Sequence, residues 1–150
     1  MTTTNTNILV ITSSLFLVSG VYAFIHGVYA FTALSVITAA VSAVYWRNYT
    51  DDYMLTLDRI VSRISFSIVV ITGYIYLNNI IEVVSVIIIF CSIVYSYLMS
   101  NHLYRNDEPQ WIYYHALFHF LVALYSCIVV RGYVIFFNKF DVSASPPLLQ

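Results

Sequence analysis

Two histidines one helical turn apart, in the segment Trp111-Ile-Tyr-Tyr-His115-Ala-Leu-Phe-His119, are the residues of this chain best suited to chemistry. Positions four apart share a helix face, so both imidazoles can address one point. A pair at that spacing can supply two ligands to a zinc ion. The plainer reading of the same spacing is a pair of interior rings hydrogen-bonded to neighbouring hydroxyls, because polar groups in hydrocarbon turn inward. Ser42 and Trp46 are also one turn apart, and Asp58 follows at the start of the next apolar stretch. Taken singly, these read as a packing serine, an interfacial aromatic and a first-turn acid favoured by the helix dipole. His102 is a further imidazole in the polar stretch before Trp111.

The elements that must position these residues are apolar. Of the 150 residues 61% are hydrophobic and 9% charged, whereas a soluble domain carries charge on about a quarter of its residues. Six Lys and Arg against seven Asp and Glu leave no clustered basic face, so nucleic acid is excluded as a partner. Cys91 and Cys127 lie in apolar runs and read as small buried hydrophobes. No Lys, Arg, Asp or Glu occurs before Arg47. As one helix, 8–46 would run about 58 Å, nearly twice a hydrocarbon core, so it must fold back. His26-Gly27 is the best break. The expected fold is all-α, a single polytopic membrane domain of about five transmembrane helices. Their expected ranges are 8–25, 28–46, 60–77, 80–99 and 111–130, with the first retained rather than cleaved. The longest polar loop is 100–110, and the tail 131–150 is expected to be partly disordered, notably around Ser143-Ala-Ser-Pro-Pro.

Arg47, Arg59, Arg63 and Arg105 fall on one side of this arrangement, while the turns at His26-Gly27 and Asn78-Asn79 hold no Lys or Arg. That asymmetry favours a cytoplasmic N-terminus. Arg59 and Arg63 are expected to meet anionic headgroups there. The same topology gathers Ser42, Asp58, His115 and His119 toward one end of the bundle, with His102 on the correct side.

Order and spacing resemble the CREST superfamily of membrane hydrolases and receptors, which includes alkaline ceramidases, adiponectin and progestin receptors and haemolysin III-like proteins. That pattern, Ser-x-x-x-His, then Asp, then His-x-x-x-His, is matched here by Ser42-Ala-Val-Tyr-Trp46, Leu57-Asp58-Arg59 and His115-Ala-Leu-Phe-His119. The resemblance covers roughly 41–126 and implies zinc held by histidines, with Ser42 and Asp58 assisting. Trp46 departs from it, since the indole cannot replace the first histidine ligand, and the family usually has seven helices. His102 is the best substitute ligand by type. The resemblance therefore implies a non-catalytic or degenerate relative with a lipid-binding, receptor-like or scaffold role and membrane lipids as partners. The alternative is a zinc-dependent lipid amide or ester hydrolase. A small channel or transporter is a third reading, disfavoured by the lack of paired intramembrane charges or interrupted helices in the sequence.

Overall fold

The computed structural model describes residues 3–48 and 50–144, and every regular element in it is a helix. In chain order these are α1 (Thr3–Ser13), α2 (Phe16–Ile25), α3 (Tyr29–Arg47), α4 (Asp52–Tyr76), α5 (Ile80–Arg105) and α6 (Trp111–Ala144). α1 and α2 form one interrupted rod, so the molecule is a bundle of five rods.

The interruption has a local cause. Thr12, Ser13 and Ser14 each turn a hydroxyl back onto a carbonyl of the preceding turn, at 3.2, 2.7 and 2.6 Å. Such bonds compete with the helical ladder. The backbone responds by tightening: Ser14, Leu15, Leu17 and Val18 bond three residues back rather than four. The sequence expectation of an unbroken first helix is corrected here, and one argument against a transporter-like reading goes with it.

Two turns end in the same way. Val28 N–H donates to Ala23 O and Gly27 N–H to Phe24 O, with Gly27 at φ 74°. Glu108 N–H donates to Leu103 O and Asp107 N–H to Tyr104 O, with Asp107 at φ 56°. Both are Schellman closures, which need a left-handed residue that Gly supplies freely and Asp tolerates. α4 starts at Asp52, eight residues before the expected start. Asp51 caps it, Oδ1 accepting from the N–H groups of Tyr53 and Met54 at 2.9 and 3.1 Å. α5 runs on through Arg105, converting most of the expected 100–110 loop into helix because Ser100 and Leu103 are buried. α6 likewise continues past Val130. Arg131 swings out to Glu82 at 3.7 Å, and Val134 stays buried. Residues 131–144 of the tail expected to be partly disordered are helical, and 145–150 lie outside the described residues.

Four segments are long and apolar enough to cross a membrane: Asn7–Ile25, Tyr29–Arg47, Ile80–Arg105 and Trp111–Asn138. α4 is not among them, its first three turns carrying Asp52, Asp58, Arg59 and Arg63. It nevertheless runs beside α6 over the same depth. A Cβ at Gly73 would meet Val129 Cγ2 at 3.0 Å, and one at Gly132 would meet Leu77 Cδ2 at 2.5 Å. Small residues permit that close approach. The outside of the bundle is apolar: Ile60, Ile64, Ile68, Ile71 and Ile75 of α4 and Ile80, Ile81, Ile87 and Ile88 of α5 are all exposed. A water-soluble monomer does not carry such continuous patches. The chain is a multi-pass integral membrane protein with an all-α fold.

α6 is the central rod, packed on α5, α4, α2 and α1, while α3 packs on α1, α2 and α4. α4 and α5 share a three-residue turn, 77–79, yet they do not pack along one another. The space between them belongs to the site.

Candidate functional site

His115 and His119 sit on the face of α6 turned into the bundle, their ring centroids 4.9 Å apart. His119 is 2% exposed. Its Nδ1 lies 3.0 Å from Thr12 Oγ1, the residue at the interruption of the first rod. His115 Nδ1 lies 3.3 Å from Ser100 Oγ, in the part of α5 expected to be loop. Both hydroxyls spend their protons elsewhere: Thr12 donates to Leu9 O and Ser100 to Trp111 O, each at 3.2 Å. A hydroxyl has one proton to give. With those protons on the carbonyls, each hydroxyl accepts from its histidine and both neutral rings carry their proton on Nδ1. Neither Nε2 has a hydrogen-bond partner among the described residues. The pair presents two lone-pair nitrogens whose orientation is fixed from behind, as metal-binding and acid–base histidines are.

Trp46 reaches the same place. Its ring lies 4.8 Å from that of His115, edge to face, and 6.0 Å from Trp111. Only 7% of it is exposed. It is a buried wall of the site, not an interfacial anchor. His115 thus lies between Trp46 and His119, in ring contact with both. Ser42, one turn before Trp46, is buried, and its Oγ lies 3.1 Å from that of Ser13. Ser42 and Ser62 are hydrogen-bonding neighbours of the Asp58 carboxylate. Two polar atoms beside this cluster are buried without a partner, Trp46 Nε1 and Asp58 Oδ1. Such atoms are uncommon, because each costs roughly 1–3 kcal/mol if left unpaired.

Trp46, Asp58, Ser62, His115 and His119 line one cavity of about 490 Å³, inside the range of roughly 300–1,000 Å³ usual for small-molecule sites. Its lining runs from Leu55 to Val69 on α4 and from Trp111 to Ser126 on α6, about 21 Å and 22 Å of helix axis. It is a long cleft. One end holds Asp58, Arg59, Ser62, Arg63, Asn101 and Tyr104, and the histidines lie on its wall. Toward the other end the lining is uncharged, with Phe66, Val69, Ile93, Val94 and Val122 beside the hydroxyl residues Thr38, Ser65 and Ser126. α4 and α5 bound it and meet across it at Phe66 and Phe90, whose rings stack with centroids 6.0 Å apart.

Of the residues singled out from sequence, Ser42, Asp58, His115 and His119 gather at this end of the bundle. His102 does not join them. It is exposed on the last turn of α5, with Nε2 3.3 Å from Asn106 Nδ2. Among the described residues no three His, Cys, Asp or Glu side chains form a group able to hold a metal ion. A catalytic zinc wants three protein ligands, and the donors here do not fit one, because the third position is an indole. Thr12, Ser13, Ser62 and Ser100 were not singled out from sequence. A run of three hydroxyl residues, Thr12-Ser13-Ser14, inside an apolar stretch was the available signal. Compared with protein families, curated proteins and solved structures, the chain matches none.

Proposed function

We propose that this protein is a membrane-embedded binder of an amphiphilic lipid, receptor-like and without hydrolytic activity. The observation that carries the reading is the cleft: charged at one end, uncharged and largely apolar at the other, and bounded by α4 and α5, which meet across it at Phe66 and Phe90. The likeness to the CREST pattern supports a degenerate site, in which positions 42, 58, 115 and 119 retain the ancestral residue types and position 46 does not. The arginines at the polar end support an orientation with that end, and the N-terminus, in the cytoplasm.

Protein purified in mild detergent and analysed by native mass spectrometry should retain a lipid at one per chain. Val94→Trp, which adds a large ring to the apolar part of the cleft, should release it while the protein stays folded by circular dichroism. A protein that retains no lipid, and to which none can be added back, is not a lipid binder.

A second reading, a lipid amide or ester hydrolase, is favoured by one feature, the group Ser13, Ser42 and Asp58 beside two Nε2 lone pairs. It needs a third metal donor, and the described residues supply none. Turnover of a ceramide-like amide by the unmodified protein would establish it and displace the binding-only reading.

A further inference from the structure

We infer that the polar end of the cleft is built for the phosphate monoester head of a single-chain lipid, held by Arg59 and Arg63. This rests on the cleft being a lipid site and names the lipid's head.

Asp58, Arg59 and Arg63 are the only charged residues in the lining. The arginines are one turn apart on α4, so their guanidinium groups can address one anion. Neither has an ion-pair partner among the described residues, where the ion pair is that of Glu82 with Arg131. Asp58 offsets part of this charge, interacting with Arg59, which leaves the lining with two guanidinium groups against one carboxylate. Asn101 and Tyr104 of α5 face the same end and add neutral donors. Two planar forks with flanking donors suit a doubly charged group with three free oxygens, because guanidinium pairs with phosphate bidentately. A carboxylate would occupy one fork and leave the other charge uncompensated. Both arginines line the cleft and are exposed, so an entering head group can reach them. The apolar continuation past Phe66 and Val94 suits a hydrocarbon tail.

Both tryptophans of the chain, Trp46 and Trp111, line this cleft, so intrinsic fluorescence reads the site directly. Full-length protein in phosphatidylcholine nanodiscs should be titrated with oleoyl lysophosphatidate, oleate, monooleoylglycerol and inorganic phosphate. Lysophosphatidate should saturate at a Kd at least tenfold below those of oleate and monooleoylglycerol, and inorganic phosphate should give no saturable change. Arg59→Gln and Arg63→Gln should each abolish that preference while leaving monooleoylglycerol binding unchanged. Arg63→Lys should keep part of it, with native circular dichroism required of every variant. Equal affinity for the three lipids, or a preference that survives both Gln variants, overturns the inference and leaves the lipid-binding reading standing. Saturation by inorganic phosphate alone also overturns it, identifying a tail-independent anion site. Binding of none of the four probes removes the lipid-binding reading itself.

Discussion

Replacing Trp46 by His tests whether position 46 of α3 and the two histidines of α6 converge on one point. Trp46 is 7% exposed and packs on His115, Trp111 and Tyr45 with centroid separations of 4.8, 6.0 and 4.6 Å. Truncating such a residue to Ala costs about 3–5 kcal/mol. An imidazole keeps part of the ring, which lowers the cost to roughly 2 kcal/mol on the same scale. Removal of an indole N–H that is buried without a partner returns about 1 kcal/mol. The metal-free variant should therefore be only slightly less stable than the parent. Zinc alters the balance, because three imidazoles would then surround one point and two of them already have their Nδ1 protons held from behind. Free zinc at a hundredfold its Kd stabilises the folded state by about 2.7 kcal/mol. For a chain of this size that corresponds to a rise of roughly 5–10 °C in melting temperature. Differential scanning fluorimetry of Trp46→His with and without zinc measures it, with inductively coupled plasma analysis for stoichiometry. The unmodified protein should show no such rise, and Trp46→His with His119→Ala should lose it. A folded Trp46→His protein that binds no zinc would refute the convergence. Stoichiometric zinc in the unmodified protein, abolished by His102→Ala, would refute the assignment of His102 to an exposed helix end.

The Nδ1–H tautomers predict a spectroscopic effect: Thr12→Val should change the imidazole ¹⁵N pattern of His119, and Ser100→Ala that of His115, each at a stability cost of about 1 kcal/mol. An unchanged pattern in both variants would mean that the hydroxyls do not set the tautomer. Gly132→Val should be among the more damaging single changes on α6, since even a Cβ there would lie 2.5 Å from Leu77 Cδ2. Overpacking of this kind costs about 1–3 kcal/mol, read as a lowered melting temperature and relieved by Leu77→Ala in the same chain. Glu82→Gln should change stability by less than about 1 kcal/mol, because its partner Arg131 is 62% exposed and the pair is 3.7 Å apart. A larger loss would show that this ion pair is shielded by lipid from solvent screening.

The membrane class of the fold was readable because it rests on composition, which no tertiary contact can override. Helix ends were less readable. They depend on whether a polar residue finds a partner, and the sequence does not show the partner. Asp51 starts α4 early by capping two N–H groups, and Ser100 and Leu103 keep α5 helical because α6 covers them. Arg131 looked like the end of the last span, yet Glu82 meets it and the helix passes through. In each case the segment was assigned to water on the strength of its polar residues; a local cap extended α4, and contacts from another rod accompany the extension of α5 and α6.

The same logic explains which half of the site the sequence exposed. Histidines at a spacing of four are rare enough in hydrocarbon to draw the eye, and the cost of burying them dictates the inward face. Their hydroxyl partners are different. A helical Ser or Thr normally returns its proton to its own preceding turn, as Thr72, Ser85, Ser92 and Ser126 do here at 2.7–2.9 Å, and from sequence Thr12 is indistinguishable from these. What separates Thr12 is that its oxygen still has a free lone pair when α6 brings His119 within 3.0 Å. Ser100 differs in a further respect, since it donates across to Trp111 O on α6. The acceptor role exists only because the donor role is already filled. This is why two ordinary-looking hydroxyls fix the direction in which the paired histidines can act.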